Sequence, residues 1–258
     1  MNPLMLLFMA IIGFFAGMLV NYLADVMPIR RRLVRPFCLA CKQPQSLAAY
    51  FFWPRRCAVC GRRRSLRTWL VELLMVGATV WMWLVPPDGL PFLLGLALLI
   101  YFCLVVVIDI EHRLIMHPIS LVGAGLGLIT GVYLHGLWLS LIGGAAGFAG
   151  MMLLYIFGLF FLRLMAFLRR TGVGVDEAVG FGDVTLSGVL GLMLGWPGIT
   201  AGLILAILLG GLVSFLYLAG MLVARRYQAF SAIPYGPFLI AGAVILIFFR
   251  GAFLAAAM

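Results

Sequence analysis

The chain has 258 residues, of which 65% are hydrophobic and only 10% charged, whereas a soluble domain carries about a quarter charged residues. That excludes an ordinary soluble globular protein and points to helices packed on helices inside a bilayer. The net charge of +10 does not indicate a nucleic-acid partner, because the basic residues gather in a few clusters between long apolar runs, the pattern that sets membrane topology.

Met1 to Ala24 has neither a basic n-region nor a small-residue cleavage site, so it reads as a retained first span. Apolar stretches follow one another at about 4–24, 69–85, 91–108, 118–134, 138–165, 184–195, 198–223 and 236–256, several of them near the roughly 20 residues that cross a bilayer. The expected fold is therefore an all-α polytopic membrane protein of about eight transmembrane helices. It divides into a first helix (1–24), a cytoplasmic four-cysteine zinc loop domain (25–68) and a seven-helix membrane domain (69–258).

The loop from 25 to 68 holds Arg30, Arg31, Arg32, Arg35, Lys42, Arg55, Arg56, Arg62, Arg63, Arg64 and Arg67, which places it inside by the positive-inside rule. Alternating sides from that anchor puts Arg113, Arg163, Arg169, Arg170, Arg225 and Arg226 inside as well, and leaves only Arg250 near an outside end. No fixed-period repeat is apparent. Gly123/Gly127/Gly131, Gly143/Gly147 and Gly191/Gly195 have small-xxx-small spacing, which suits close helix packing. The run GVGV at 172–175 lacks the third glycine and the preceding strand of a phosphate-cradling loop.

Within the basic loop, CLAC at 38–41 and CAVC at 57–60 form two C-x2-C pairs separated by fifteen residues, the spacing of a tetrahedral four-cysteine metal site. Disulfides or a redox pair are the competing reading, but a cytoplasmic loop stays reduced. Cys38, Cys41, Cys57 and Cys60 are thus expected to hold a structural zinc ion that supplies much of the loop's folding energy. Cys103, alone in an apolar span, reads as a small core residue.

The acids are few. Asp25, Asp88, Asp176 and Glu177 read as solvated charges at loops and span ends. Glu72 lies just inside the second apolar run, where an unpaired ionisable group costs about 2.5–3.5 kcal/mol at the helix centre; it either reaches water or binds something. Asp109 ends the run YFCLVVVI and Asp183 opens the run VTLSGVLGLMLG, and alternation of sides places both at the cytoplasmic face. The run from Asp183 to Trp196 rises only about 20 Å as helix against a core of about 30 Å, so Asp183 lies below the inner surface. Two carboxylates brought together in a low dielectric cannot both ionise, so one keeps its proton and an acid stands beside a base. That pair would serve an aspartic protease or a proton-coupled transporter. Gly180 and Gly182 would leave a substrate backbone free to approach Asp183.

GFGD at 180–183, VVVIDIEHRLI around Asp109, the paired C-x2-C loop and YGPF at 235–238 together resemble the bacterial type IV prepilin peptidases, a family of GxGD intramembrane aspartyl proteases. Gly17, Asn21 and Pro28 near the start, RTWLVELL after the loop and IPYGPF at 233–238 extend the resemblance along the chain. It implies an enzyme that removes the basic leader of type IV prepilins or pseudopilins after a glycine at the cytoplasmic face of the bacterial inner membrane. Asp109 and Asp183 would be catalytic, with Gly180 and Gly182 supporting. It further implies methylation of the new N-terminus with S-adenosylmethionine, with Glu72 and Asn21 on the substrate or methyl-donor side, and no nucleic-acid partner. Thr185 stands where the family usually has lysine, and IMHP at 115–118 where a Pro-Asp often follows the first aspartate. His112 and His117, lacking a third ligand, read as interfacial polar residues. A carrier using the aspartates, or a scaffold that recruits a secretion machine through its zinc loop, are the alternatives.

Overall fold

A computed structural model describes residues 2–52, 55–169, 180–223 and 234–249. Among these the chain is helical throughout, with two isolated β-bridges and no strand. Eight apolar helices follow the eight apolar stretches in order: α1 (Pro3–Arg30), α3 (Leu66–Leu84), α4 (Phe92–His112), α5 (His117–His135), α6 (Leu137–Arg169), α7 (Phe181–Leu194), α8 (Gly198–Val223) and α9 (Gly236–Phe248). A one-turn helix, α2 (Leu47–Phe51), lies in the basic loop. Five of the eight (α1, α4, α5, α6 and α8) are long and apolar enough to cross a membrane, and α7 and α9 are shorter apolar helices. The protein is a multi-pass membrane protein.

The first helix is longer than its apolar stretch. It runs on past Ala24 to Arg30 and includes Pro28, which has no N–H to give the Ala24 carbonyl. It stops where Arg31 turns left-handed (φ 53) and its N–H bonds Met27 O at 3.0 Å. Residues 25–30 stay helical because Asp25, at 4% exposure, is held by partners from the loop. The segments that hold GVGV, Asp176, Glu177, Arg170, Arg225, Arg226 and Arg250 lie outside the described residues.

Two compact units divide the chain, one of residues 1–86 and 90–112, the other of residues 87–89 and 113–258. In the first, α3 packs along α1 and both contact α4. A Cβ on Gly13 would come within 2.7 Å of the Met75 carbonyl oxygen, and one on Gly17 within 2.7 Å of Glu72 Cα. Glycine one turn apart on α1 therefore lets the α3 backbone approach closely, the use that small-xxx-small spacing favours.

In the second unit α7 lies against both α5 and α6, and here the small-xxx-small glycines do what their spacing predicts. A Cβ on Gly127 would sit 2.9 Å from Val189 O, and Cβ atoms on Gly131, Gly143 and Gly147 would collide with the carbonyls of Leu192, Gly191 and Ser187. Hydroxyls add bonds across the same contacts: Ser140 Oγ donates to Leu192 O at 2.8 Å and Ser187 Oγ to Gly147 O at 2.9 Å. Inside a bilayer, where apolar contact alone gives no advantage over lipid, such backbone approach and hydrogen bonding are what bind helices. A valine at Gly191, whose Cβ would meet the Gly143 carbonyl, is expected to cost about 1–3 kcal/mol by overpacking. Unfolding in mixed micelles measures it, against Gly211→Ala on α8, where nothing lies within 4 Å; equal stability of the two variants would contradict the packing described.

Candidate functional site

The loop folds as two hairpin turns of the same build. In the first, Cys38 N–H bonds Gln43 O at 2.9 Å and Lys42 N–H bonds Cys38 O at 2.8 Å; in the second, Cys57 N–H bonds Arg62 O at 3.0 Å and Gly61 N–H bonds Cys57 O at 2.9 Å. Lys42 and Gly61 both turn left-handed, at φ 58 and 68. Ser46 follows Cys41 by the same interval as Ser65 follows Cys60, and each serine is the N-cap of a helix, α2 and α3. The unit of turn, serine and helix is thus used twice, a short repeat that the sequence carries although no fixed period was apparent in it.

The turns bring all four cysteine sulfurs within 4.8 Å of one another. Cys38 Sγ lies 3.6 Å from Cys60 Sγ and Cys41 Sγ 3.5 Å from Cys57 Sγ. A disulfide would need about 2.0 Å, whereas sulfurs about 2.3 Å from one tetrahedral ion sit about 3.8 Å apart. The four thiols are free and the donor set fits a metal ion. Amide N–H groups of Cys60 and Val59 point at the Cys57 sulfur and hold its thiol down at about 6, which favours the thiolate a metal needs. No other group of histidines, cysteines or acids among the described residues clusters so; His112 ends α4 and His117 opens α5.

Beside the cysteines the loop is tied to the helices through buried charges. Asp25, expected as a solvated charge, instead accepts from Tyr50 Oη at 2.5 Å and from Arg64 Nη2 at 2.7 Å on Oδ2, and from Arg67 Nη2 on Oδ1. The correction has a plain cause: a carboxylate removed from water is retained only with partners, and the arginine-rich loop supplies them. Burial, and then the Asp25 charge, push the Tyr50 phenol above its usual range, so it remains a donor. Arg67 also donates to Glu111 Oε2 at 2.6 Å, two residues beyond Asp109. Asp88 is exposed, as expected.

Glu72 and Asn21 both lie buried where α1 meets α3, at 4% and 1% exposure. Glu72 Oε2 accepts from Arg55 Nη1 at 2.9 Å, and Arg55 also bonds the Phe51 carbonyl and lies 4.4 Å over the Trp69 ring. Of the two ways to keep an acid in an apolar run, this one binds something. Asn21 Nδ2 donates to Thr68 O at 3.1 Å, while its Oδ1 is buried without a partner.

Asp109 sits in the last turn of α4 and Asp183 in the first turn of α7, and both are buried, at 5% and 8% exposure. At α7 the two glycines differ. Gly180 is exposed and a Cβ there would stand 4.0 Å from Asp183 Oδ2, but one on Gly182 would be 2.8 Å from Ile115 Cβ. The space left by Gly182 is taken by Ile115 of this same chain. Thr185 Oγ1 bonds back to Gly182 O at 2.8 Å, so the residue in the usual lysine position serves its own helix. Tyr235, at the N-terminus of α9, is raised above the usual phenol range by burial and then by the Asp183 charge; the sequence singled out YGPF only as a pattern, not this tyrosine.

Comparison with known proteins identifies the family. The Type IV leader peptidase family matches residues 93–215, a span that contains both Asp109 and Asp183. A prepilin leader peptidase/N-methyltransferase of Pectobacterium carotovorum subsp. carotovorum is 29% identical over 223 residues, covering 84% of this chain and 74% of the relative. One from Aeromonas salmonicida (strain A449) is 30% identical over 227 residues, covering 83% and 71%, and one from Aeromonas hydrophila 30% over 238 residues, covering 86% and 74%. The chain belongs to the prepilin leader peptidase/N-methyltransferase family. Membership makes it an enzyme of a protease family, and the carrier and scaffold readings are not favoured. In this family member the cysteine loop lies before the matched region and the two aspartates within it. No solved structure matches the chain.

Proposed function

We propose that this protein cleaves the basic leader from type IV prepilins or pseudopilins after a glycine and then methylates the new N-terminus. The observation that carries the reading is likeness to prepilin leader peptidase/N-methyltransferases over most of the chain. Asp109 and Asp183 are the catalytic carboxylates, and Gly180 keeps the approach to Asp183 open, while Gly182 seats α7 against Ile115. The ionised partner takes a proton from water as the water oxygen bonds to the scissile carbonyl carbon; the protonated partner donates to the carbonyl oxygen. The tetrahedral adduct then breaks its C–N bond, and the departing amine takes up the proton. This chemistry needs both carboxylates within reach of one water.

The metal that fits the four cysteines is zinc, from the all-thiolate tetrahedral set, and its part is structural. S-adenosylmethionine supplies the methyl group of the second reaction. Glu72 and Asn21 are assigned to the substrate or methyl-donor side, the unpartnered Asn21 Oδ1 being an acceptor for an amine or hydroxyl donor. We place the protein in the bacterial inner membrane with residues 25–68 as a cytoplasmic zinc loop and the aspartates on that same side, as the arginine distribution supports. Residues 69–258 carry the protease domain after the first helix and loop.

Co-expression with a prepilin, followed by mass spectrometry of the recovered pilin, tests both reactions together. The expected product has lost its leader and carries one added methyl on its N-terminus. A leader left intact would refute the proposal, and a cleaved, unmethylated product would limit it to the peptidase step.

A further inference from the structure

We infer that the face of the loop against α3 is a binding site for a phosphate group. A cleft of about 370 Å³ opens there, lined among others by Asp25, Arg62, Arg63, Ser65, Arg67 and Thr68. Three independent features of it call for an anion.

The first is the start of α3. Ser65, Arg67 and Thr68 place the N-terminus of a 19-residue helix in the wall of the cleft, and the Ser65 side chain makes no cap bond to it. Thr68 N–H is bonded to Ser65 O at 3.1 Å, which leaves the Leu66 and Arg67 amides and the positive end of the helix dipole as the anion seat. The second is a pair of buried donors with nothing to bond: Thr68, at 1% exposure, has no partner for its Oγ1, and Arg67 has none for its Nε although its terminal nitrogens reach Asp25 and Glu111. A buried polar atom left unpaired costs about 1–3 kcal/mol, and both of these atoms belong to residues that line the cleft.

The third is charge. From Arg30 to Arg67 the chain has eleven basic residues and no acid. Asp25 is saturated by Tyr50, Arg64 and Arg67, and a dianionic metal tetrathiolate offsets only part of the rest. Arg62 and Arg63 are exposed and form no ion pair among the described residues. Two exposed guanidinium groups and the N-terminus of a helix along one cleft suit the several oxygens of a phosphate. The loop is spliced between two apolar helices, α1 and α3, beside a surface dense in such groups, so the phosphate is that of an anionic lipid headgroup or a free anion of the same chemistry. The site does not depend on the peptidase reading.

The test uses the full-length, metal-loaded protein with Thr68→Val and with Arg63→Gln, an exposed change that leaves the buried network alone. One arm measures retention of phosphatidylglycerol against phosphatidylcholine from mixed micelles by native mass spectrometry; the other measures the rise in unfolding temperature with inorganic phosphate. Selective phosphatidylglycerol retention identifies a headgroup site, and stabilisation by inorganic phosphate alone identifies a free-anion site. In either case the effect is expected to weaken about tenfold in both variants, the equivalent of one lost charge-assisted or buried hydrogen bond. Equal retention of the two lipids with no response to phosphate overturns the inference, as does wild-type binding by Arg63→Gln and Thr68→Val.

Discussion

Asparagine in place of Asp183, or of Asp109, is expected to lower leader cleavage about ten-thousand-fold or more, the scale seen when a member of a cooperating catalytic set is removed. Asparagine keeps the size of the side chain and most of its hydrogen bonding, so the helix ends that carry these residues should persist. What it removes is the exchangeable proton, and with one carboxylate gone no group can take a proton from water while its partner holds another against the carbonyl. Gel mobility of a co-expressed prepilin reads the result. Glu111→Gln is the informative companion, because Glu111 is also a carboxylate on the last turn of α4 but is bonded to Arg67. Cleavage should survive that change far better than either aspartate change. Full processing by Asp183→Asn would remove that residue from the mechanism.

Loss of the metal should be almost as damaging, by a different route. Among the described residues of the loop between α1 and α3, few side chains are buried and apolar: Phe37, Tyr50 and the cysteines Cys38 and Cys57. Structural zinc contributes about 10–16 kcal/mol in small zinc-dependent folds, and a loop with so little apolar area has nothing comparable to replace it. Cys57→Ser, or a strong chelator, is expected to empty the site of metal and expose the segment around Arg31 to Arg64 to proteolysis. The consequence should travel further, since Arg64 and Arg67 hold Asp25 on α1 and Arg55 holds Glu72 on α3. An unfolded loop withdraws Arg55 and Arg64 and leaves both acids short of a partner in an apolar setting, a defect of about 3–5 kcal/mol for a broken buried pair. Metal analysis before and after chelation, with limited proteolysis of membranes, checks both parts. A chelated, metal-free protein that resists protease as the intact one does would show that the loop folds by other means.

Much of this was legible in the sequence, and for identifiable reasons. Continuous apolar runs give the helices their order and, at α8, its start, because inside a membrane the backbone must bond within its own segment. Two C-x2-C pairs announced the four-cysteine cluster because ligand spacing is a local property. Glycines four apart on α5, α6 and α7 announced backbone contact. The same rule applied to Gly13 and Gly17 on α1 would have found the contact with α3. Asp25 was misread because its partners lie some forty residues away, at Arg64 and Arg67, and in a run of arginines nothing local marks which of them turns inward. Gly182 was read as room for a substrate, whereas Ile115, distant in sequence, fills that room. In each case the missing information was a tertiary partner.

Helix α7 is fixed to its neighbours by main chain more than by side chain. A side-chain contact can adjust, since rotamers change and a neighbouring methyl can fill a gap; carbonyl oxygens lodged against glycine Cα atoms have no such slack. The helix that bears Asp183 therefore behaves as a post wedged between two others, unable to turn about its axis or slide along it without breaking several close approaches together. Sequence drift on its exposed face, at Phe181 for instance, can alter the surface offered to lipid or to a bound chain while the depth of the carboxylate in that bundle stays constant.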